Sequence, residues 1–321
     1  MKQRKIEVKW KPVGENEYAP LIAATLPAGG RSSEREKKIE YFCTSAQVGL
    51  FHKVDASRLW QGSRPHDIKK SPLETVVVLS DIHIPWHSEQ ALLLALDFCK
   101  KKQPDIIVLL GDIVDFSGIS DYNKTLKDEM GMVFDLLKFR AFMALVKTLC
   151  PNSKIVLVKG NHCDRYTRWW AADGNRAMGT AASLFMPFNR VIGADDMNIP
   201  VYEYGHWWEH RNFMFVHTAG YSGAVNSSSV SERKAIQKMQ CSGIQGHHHR
   251  VGMCVTKTAS GYLGFYGNGC LSSLNPHYTT NPDWVNCFSV LKFLPNSSRF
   301  NWTPVLIIDG KAVYGDEIFS V

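Results

Sequence analysis

An α/β fold with a largely parallel sheet is predicted by three features of the chain. Short apolar runs recur at Val76-Val77-Val78-Leu79, Ile106-Ile107-Val108-Leu109-Leu110 and Ile155-Val156-Leu157-Val158. Their length and β-branched content mark buried strands rather than helices. Segments of helical spacing lie between them, and the resulting β-α-β-α-β order requires right-handed crossovers and parallel pairing. Each run also stops abruptly and delivers Asp, Asn or His.

Taken in order, the first 72 residues differ from the rest. Ile6-Glu7-Val8-Lys9-Trp10 alternates like a strand, Pro27-Ala28-Gly29-Gly30 is a breaker, and the charged stretch Ser33 to Thr44 reads as a short helix. Residues 1–70 hold 14 Lys and Arg against 8 Asp and Glu, whereas residues 71–321 hold 23 against 22. The net charge of +7 is therefore almost wholly N-terminal. A basic excess concentrated in this way suits contact with a polyanion, and a solvated basic face explains it equally well. Ser71-Pro72 marks the expected boundary between a basic region of unassigned fold, 1–72, and an α/β domain, 73–321.

From Leu73 the strand and helix pattern begins. Ser88 is a good N-cap with Glu89 in the first turn of a helix that runs to about Lys102 and ends in three lysines. Gln103-Pro104-Asp105 breaks it before the Ile106 strand. A long helix from about Lys127 to Leu149 presents Val133, Phe134, Leu137, Ala141, Ala144 and Leu145 as its buried stripe, and Pro151 stops it. Residues 165–212 interrupt the rhythm with Trp169, Trp170, Trp207 and Trp208, which read as core before base-stacking platform. Ser229-Val230-Ser231-Glu232 has the form of a capping box opening a helix to about Met239. Beyond Arg250 come strands at Tyr262 to Tyr266, Phe288 to Phe293, Val305 to Ile308 and Ala312 to Tyr314, the last two joined by a hairpin turn at Asp309-Gly310. These would build a second sheet.

The strand ends carry the chemistry. Ser80-Asp81-Ile82-His83 follows the first run, Gly111-Asp112-Ile113-Val114-Asp115 the second, and Gly160-Asn161-His162 the third. Phe213-Met214-Phe215-Val216 ends at His217, and Gly243-Ile244-Gln245-Gly246 ends in His247-His248-His249. Ligands of open α/β sheets bind outside the carboxyl ends of the strands, where all these groups fall. Five such tips along the edge of a single sheet make a metal site, with oxygen and imidazole donors and no thiolate, a set that suits Mn²⁺, Fe, Zn²⁺ or Ni²⁺.

The order Asp-x-His, Gly-Asp-x-x-Asp, Gly-Asn-His, a lone His and Gly-His-x-His resembles the calcineurin-like metallophosphoesterase superfamily, over roughly Val76 to Arg250. The resemblance implies a two-sheet sandwich flanked by helices, to which residues 1–72 would add a small N-terminal appendage. It implies two divalent metals, Mn²⁺ first among the candidates. Asp81, His83, Asp112 and His249 would hold one, and Asp112, Asn161, His217 and His247 the other, with Asp112 as the bridge. Such a metal pair activates water and clamps phosphoryl oxygens. His162 would protonate the leaving alkoxide, oriented by Asp115 through its other ring nitrogen. His248 falls at the variable position of its motif and reads as a bystander. His87 and His206 have no assigned role.

Departures narrow the branch. Phe116-Ser117 stands where the protein Ser/Thr phosphatases of the superfamily have Arg-Gly, and Asp115 stands where purple acid phosphatases have a Tyr ligand. Cys163 separates Gly-Asn-His from the acid Asp164, leaving that acid's role open. Asp81-Ile82-His83-Ile84-Pro85, with Gly269-Cys270-Leu271 before Trp284, looks most like members encoded by bacteriophages and prophages. The leading reading is a phosphodiesterase or nuclease acting on nucleic acid or nucleotides. A phosphomonoesterase for small metabolites is the runner-up, and a catalytically silent scaffold is the alternative of another class.

Composition bounds the rest. The start of the chain lacks the apolar run of a signal peptide, and no stretch approaches the roughly 20 apolar residues of a membrane span. The expectation is a soluble protein acting in the cytoplasm, in a phage-infected host if the finer resemblance holds. The eight cysteines are scattered without a Cys-x-x-Cys pair, so free thiols are expected rather than a disulfide framework.

Overall fold

The computed structural model describes residues 8–14, 17–25, 38–42, 50–51, 53–60, 71–120, 131–172, 176–219, 228–259, 261–275 and 282–321. The Pro27 to Gly30 breaker and the first turn expected of the long helix, Lys127 to Met130, lie outside these residues. In the N-terminal region β1 (Val8–Gly14), β2 (Glu17–Thr25) and β3 (Lys38–Phe42) form a three-stranded antiparallel sheet. The helix expected over Ser33 to Thr44 is thus replaced by a strand at Lys38–Phe42. Pairing with β2 captures Ile39, Tyr41 and Phe42, all good strand formers.

The first large sheet is built on the three apolar runs: β4 (Glu74–Leu79), β5 (Ile106–Leu110) and β6 (Lys154–Val158), with the short β7 (Val201–Tyr202), all parallel. The second holds β8 (Trp207–His210), β9 (Phe213–Val216), β10 (Ser242–Gln245), β11 (Val251–Thr258) and β12 (Gly261–Asn268), in the order β11-β12-β10-β9-β8. β13 (Cys287–Phe293) and β14 (Phe300–Leu306) do not join that second sheet as expected. They extend the first, giving the order β14-β13-β4-β5-β6-β7, because β13 pairs antiparallel with β4.

Side-chain alternation along the strands explains the layers. Val77, Leu79, Ile107, Leu109, Ile155 and Leu157 point to one face of the first sheet, into a core shared with the helices Glu89–Lys102 and Gly131–Leu149. Val76, Val78, Ile106, Val108, Leu110, Val156 and Val158 point to the other face and meet Trp208, Phe213, Phe215, Ile244 and Tyr266 of the second sheet. A third core joins Met214, Val216 and Phe265 to Ala235 and Ile236 of the helix Ser228–Met239. Helices, sheet, sheet, helix is the result, and both faces of the first sheet are apolar because both are covered.

Three local expectations need correction. Val133, Phe134 and Leu137 are exposed, whereas Ala141, Ala144 and Leu145 are buried as expected, and the helix Gly131–Leu149 adds Phe139, Phe142, Val146 and Leu149 to its buried side. That stripe has the same three-and-four spacing, and it wins because Phe139 packs against Phe188 at 6.2 Å in an aromatic cluster with Phe116 and Tyr166. Asp309-Gly310 does form a tight turn, with both residues at positive φ, but it closes a single bridge between Ile308 and Lys311. The ladder partner of β15 (Lys311–Tyr314) is β16 (Glu317–Ser320). The third correction concerns Ser229, which lies inside the helix rather than at its cap, since the helix already includes Ser228.

Candidate metal centre

The chain does not stop pairing where β4 and β5 end. The Asp81 N–H donates to the Gly111 carbonyl at 3.0 Å, His83 N–H to Asp112 at 2.9 Å, Ile84 N–H to Ile113 at 2.9 Å, and Asp115 N–H to Ile84 at 2.9 Å. Ile82, Ile84, Ile113 and Val114 are fully buried and anchor this double loop in the core, which leaves Asp81, His83, Asp112 and Asp115 to face the cleft.

The five predicted tips do not share one sheet. Those of β4, β5 and β6 belong to the first, and His217, His247 and His249 follow β9 and β10 of the second. The two edges face each other and are sewn together. His217 Nδ1 lies 2.9 Å from the Leu110 carbonyl, His247 N–H reaches both Asp81 carboxylate oxygens at 3.0 Å, and Asn268 Nδ2 donates to Ser80 Oγ at 2.8 Å.

Strained backbone marks the site. Asp81, His83, Asp112, His247 and His249 all have φ between 46° and 70°. Non-glycine residues in that region each cost about 1–3 kcal/mol, sustained only where surrounding bonds over-determine them. Two glycines are required by close approach: a Cβ on Gly111 would stand 2.2 Å from His217 Nδ1, and one on Gly160 would stand 2.1 Å from Asp112 Oδ1.

Two donor groups result. Asp81 Oδ1 lies 3.3 Å and His83 Nε2 3.2 Å from His249 Nε2. Asp112 Oδ2 lies 3.2 Å and Asn161 Oδ1 3.3 Å from His217 Nε2, with His247 completing that group. Asp112 Oδ2 is also 3.9 Å from His83 Nε2, so this one carboxylate touches both groups. The ring tautomers suit metal binding. His83 Nδ1 donates to Asp115 Oδ2 at 2.9 Å and His217 Nδ1 to the Leu110 carbonyl, which turns both Nε2 lone pairs into the cluster. Clustered anionic and lone-pair donors of this kind fit a pair of divalent cations.

The charges confirm how tightly the groups interact. Burial would lower the His217 and His249 imidazoles, but Asp112 and Asp81 respectively raise each to about 9. Burial, with the charge of His217, lowers His247 to about 4. Burial would raise the acids, yet His249 holds Asp81 at about 2, and His217 keeps Asp112 well below the usual range. Protons on His217 and His249 therefore balance the carboxylates when no cation does.

His162 and Asp115 sit beside the first group. Asp115 Oδ2 accepts from His83 Nδ1 at 2.9 Å and lies 3.1 Å from His162 Nδ1, so a single carboxylate stands against both rings. Several neighbours escaped the sequence reading. Arg165 Nη1 donates to the Asp115 carbonyl at 2.9 Å and Oδ1 at 3.2 Å. Asp164 lies 3.7 Å from the buried Lys159 and 3.4 Å from Arg168, whose Nη2 donates to the Asn161 carbonyl at 3.1 Å. The acid after Cys163 thus braces the Asn161 backbone. Cys163 itself is fully buried, and burial pushes its thiol up to about 11, which makes it a core residue.

His248 is not a bystander. Its Nε2 lies 2.9 Å from Oε1 of the fully buried Glu232, and its Nδ1 accepts from Arg250 N–H at 3.1 Å. The helix Ser228–Met239 is thereby tied to the loop that carries His247 and His249. A lone Glu three and four residues before the apolar Ala235 and Ile236 was the available signal, since that spacing puts it on the buried face. His87 Nε2 reaches the Leu50 carbonyl at 2.6 Å and serves packing there. Trp208 is core as expected, whereas Trp207 is exposed.

Known proteins are similar to this chain in sequence and in fold. The Gene 54 protein of Mycobacterium phage D29 is 26% identical over 190 residues, covering 56% of this chain and 70% of that protein. Solved structures with a similar course include Vacuolar Protein Sorting 29 from Cryptosporidium parvum, at 14% identity and TM-score 0.41, covering 78% of this chain and 99% of that one. A dimetal phosphatase from Danio rerio follows at 12% identity and TM-score 0.41, with 73% and 96% covered. The nuclease MPE of Pseudomonas putida has 13% identity and TM-score 0.30, with 77% and 87% covered. The family model described as calcineurin-like phosphoesterase matches residues 74–251, from the first residue of β4 to the first of β11. That span is more than half of the chain and includes every strand tip described above, so the protein belongs to the calcineurin-like phosphoesterase family and is a metal-dependent phosphoester hydrolase.

Proposed function

We propose that the protein is a phosphodiesterase with two metals, acting on nucleic acid or nucleotides. The observation that carries the reading is the Asp112 carboxylate in contact with both donor groups, beside a histidine held by Asp115. Asp81, His83, Asp112 and His249 would hold one cation, and Asp112, Asn161, His217 and His247 the other. The donor set suits Mn²⁺, Fe, Zn²⁺ or Ni²⁺, and Mn²⁺ is the ion proposed. Bound there, the cations would supply the positive charge that lets an oxygen nucleophile approach a phosphate anion.

The chain's own groups do the rest. Asp115 fixes the His162 ring and leaves Nε2 as the atom that passes a proton to the departing ester oxygen. His83 shares that carboxylate, so the proton donor and the first metal group move as one unit. Residues 1–72 are the proposed polyanion contact, supported by their basic excess and by a sheet of their own. The Mycobacterium phage relative supports a setting in a phage-infected bacterial cell.

One assay tests this reading: metal-reconstituted protein on a chromogenic diester, a chromogenic monoester, and labelled single- and double-stranded DNA. The diester and a nucleic acid should be cleaved faster than the monoester. Deleting residues 1–70 should weaken nucleic-acid binding and lower the log-log salt slope by about 0.7–0.9 per lost phosphate contact. Cleavage of the monoester alone, with an unchanged salt slope, would overturn the proposal in favour of a small-metabolite phosphatase.

A further inference from the structure

We propose that Trp284 and Tyr204, at opposite ends of the edge that carries the donor groups, stack the bases on either side of the scissile phosphate, which makes single-stranded nucleic acid the substrate. The inference rests on the phosphodiesterase reading and deepens it by naming which form of nucleic acid the site takes.

Strand order fixes the two positions. The first sheet runs β14-β13-β4-β5-β6-β7. β13 is antiparallel to β4, with Ser289 opposite Val78, so the residues just before Cys287 lie at the end where β4 delivers Asp81 and His83. β7 is parallel to β6, with Tyr202 opposite Val158, so the residues just after Tyr202 lie at the end where β6 delivers Asn161 and His162. Along this edge the order is therefore Trp284, then Asp81 and His83, then Asp112, then Asn161 and His162, then Tyr204. The outer two strands stand four strand spacings apart, about 19 Å, more than one planar ring system spans.

Both aromatics are held at the cleft without being packed away. Trp284 is half-buried, and its ring centre lies 4.2 Å from that of His249 at an angle of 63°. The next residue, Val285, donates its N–H to the His249 carbonyl at 3.0 Å, which fixes the ring beside the first donor group. At the other end Tyr204 is 39% exposed and belongs to a braced turn. His206 N–H donates to the Glu203 carbonyl at 2.9 Å, with Gly205 at a φ of 86°, and Lys159 Nζ donates to Glu203 Oε2 at 2.7 Å. Lys159 is fully buried, a costly place for a charge unless it is paired, and its carboxylate partners are Glu203 and Asp164. That ion pair pins the turn beside Asn161 and so sets where Tyr204 stands. Burial raises the Tyr204 hydroxyl and the charge of Asp112 adds to this, which puts the hydroxyl on the cleft side of the turn.

The chemistry follows from the number of flanks. A diester centred on Asp112 extends a substituent to each side, whereas a monoester extends one. Two aromatic rings with the metal ligands between them match two planar substituents. Every base has a π-face, so stacking of this kind tolerates any sequence. In a duplex each base is already stacked on its neighbours and paired at its edge, and the same contact would require opening it. Two rings therefore favour the single strand.

The test compares metal-loaded wild type, W284A, Y204A and Y204F, with metal content measured for each. Dissociation constants are read by fluorescence anisotropy for a labelled single-stranded oligonucleotide in deoxy and ribo forms, for the DNA duplex, and for an abasic strand of the same length. W284A and Y204A should each bind the single strand about 10- to 100-fold more weakly, as the loss of one stacked base does. The loss should be alike for the deoxy and ribo strands, because stacking does not read the sugar. Y204F keeps the ring and should bind like the wild type. The abasic strand presents the same phosphates without bases, so all four proteins should bind it equally. Unchanged single-strand affinity in Y204A, an equal loss on the abasic strand, or tighter binding of wild type to the duplex overturns the proposal. Should W284A lose metal through its contact with His249, Y204A decides by the same criteria. A wild type that shows the expected affinities but cleaves neither strand would defeat the phosphodiesterase reading and leave the stacking contacts standing.

Discussion

The two sheets contribute unlike halves to one site. Loops of the first sheet bring the carboxylates Asp81, Asp112 and Asp115, together with cations that hold them, Arg165 among these. Loops of the second sheet bring imidazoles only: His217, His247 and His249. Ionic contacts orient the first half, whereas a backbone carbonyl and a buried His248–Glu232 pair orient the second. Carboxylates thus line one wall of the seam and imidazoles alone the other. In the proposed assignment each cation takes ligands from both walls, so metal binding would report on whether the two sheets are docked.

That asymmetry orders the expected effects of mutation. Asp112 Oδ2 lies 3.2 Å from His217 Nε2 and 3.9 Å from His83 Nε2, in reach of both donor sets, and Asp112→Asn removes its charge without changing its shape. Activity and bound metal should fall together, by more than the about 100-fold that outer partners of a metal typically cost. His217→Ala, on the opposite wall, should lose metal as well but keep the carboxylate pair intact. Two full equivalents of metal per chain in both variants would break the comparison and the ligand assignment with it.

His162→Ala tests the first wall in another way, since this residue touches Asp115 rather than the proposed metals. Metal should be retained, and the rate on an ester with a poor leaving group should drop about 10²- to 10⁴-fold if a general acid is lost. With nitrophenolate as leaving group the loss should shrink, because that oxygen departs without a proton. Equal losses for both esters would assign His162 to positioning.

How much of this could be read from the chain depended on where the information lay. Strand tips of the first sheet follow their apolar runs directly, so Asp81, His83, Asp112, Asn161 and His162 were legible as candidates from local pattern. His217 and the His247-His248-His249 cluster were legible as tips too. Their membership in a second sheet was not, because parallel pairing of β10 with β9 and β12 is decided by long-range packing. The same limit misassigned β13 and β14. The stripe of the helix Gly131–Leu149 was right for Ala141, Ala144 and Leu145 and misread at Val133, Phe134 and Leu137 for a different reason: apolar residues lie on several of its faces, and tertiary contacts such as Phe139 on Phe188 select among them. Supporting groups were the least visible. Arg165, Asp164 and Glu232 are ordinary charged residues in sequence and acquire roles only through their neighbours in space.

Glu232→Gln sharpens the second wall. Its Oε1 is 2.9 Å from His248 Nε2, and a Cβ on Gly267 would stand 2.7 Å from both Glu232 Oε1 and His248, so the pair fills a space shaped for it. Loosening it should relax the left-handed backbone of His247 and His249. Metal affinity should weaken about tenfold, at the low end for outer partners. His248→Ala should give a similar loss, and the double variant no more than either alone if the two act as one unit. Additive losses in the cycle, or unchanged affinity measured by competition with a chelator, would remove the pair from the description of the site.

The smallest effect concerns the seam itself in metal-free protein, where protons on His217 and His249 face Asp112 and Asp81. Each imidazole is raised from 6.5 to about 9. A raised folded-state value means that stabilisation is fully present below about 6.5 and is lost as pH rises through about 9. Asp81, held at about 2 against an ordinary 3.8, contributes above 3.8 and loses its share only as pH falls through 2, so it is constant over the higher window. Metal-free protein should therefore lose thermal stability between pH 6.5 and 9, by roughly 2–4 °C per kcal/mol in a domain of this size. Metal-loaded protein should not follow, because a cation replaces those protons. Melting curves of the two forms should diverge with rising pH, and the divergence should be smaller in His249→Ala, which has one such imidazole fewer. Parallel pH profiles for the loaded and metal-free forms would show that the walls are held together by packing alone.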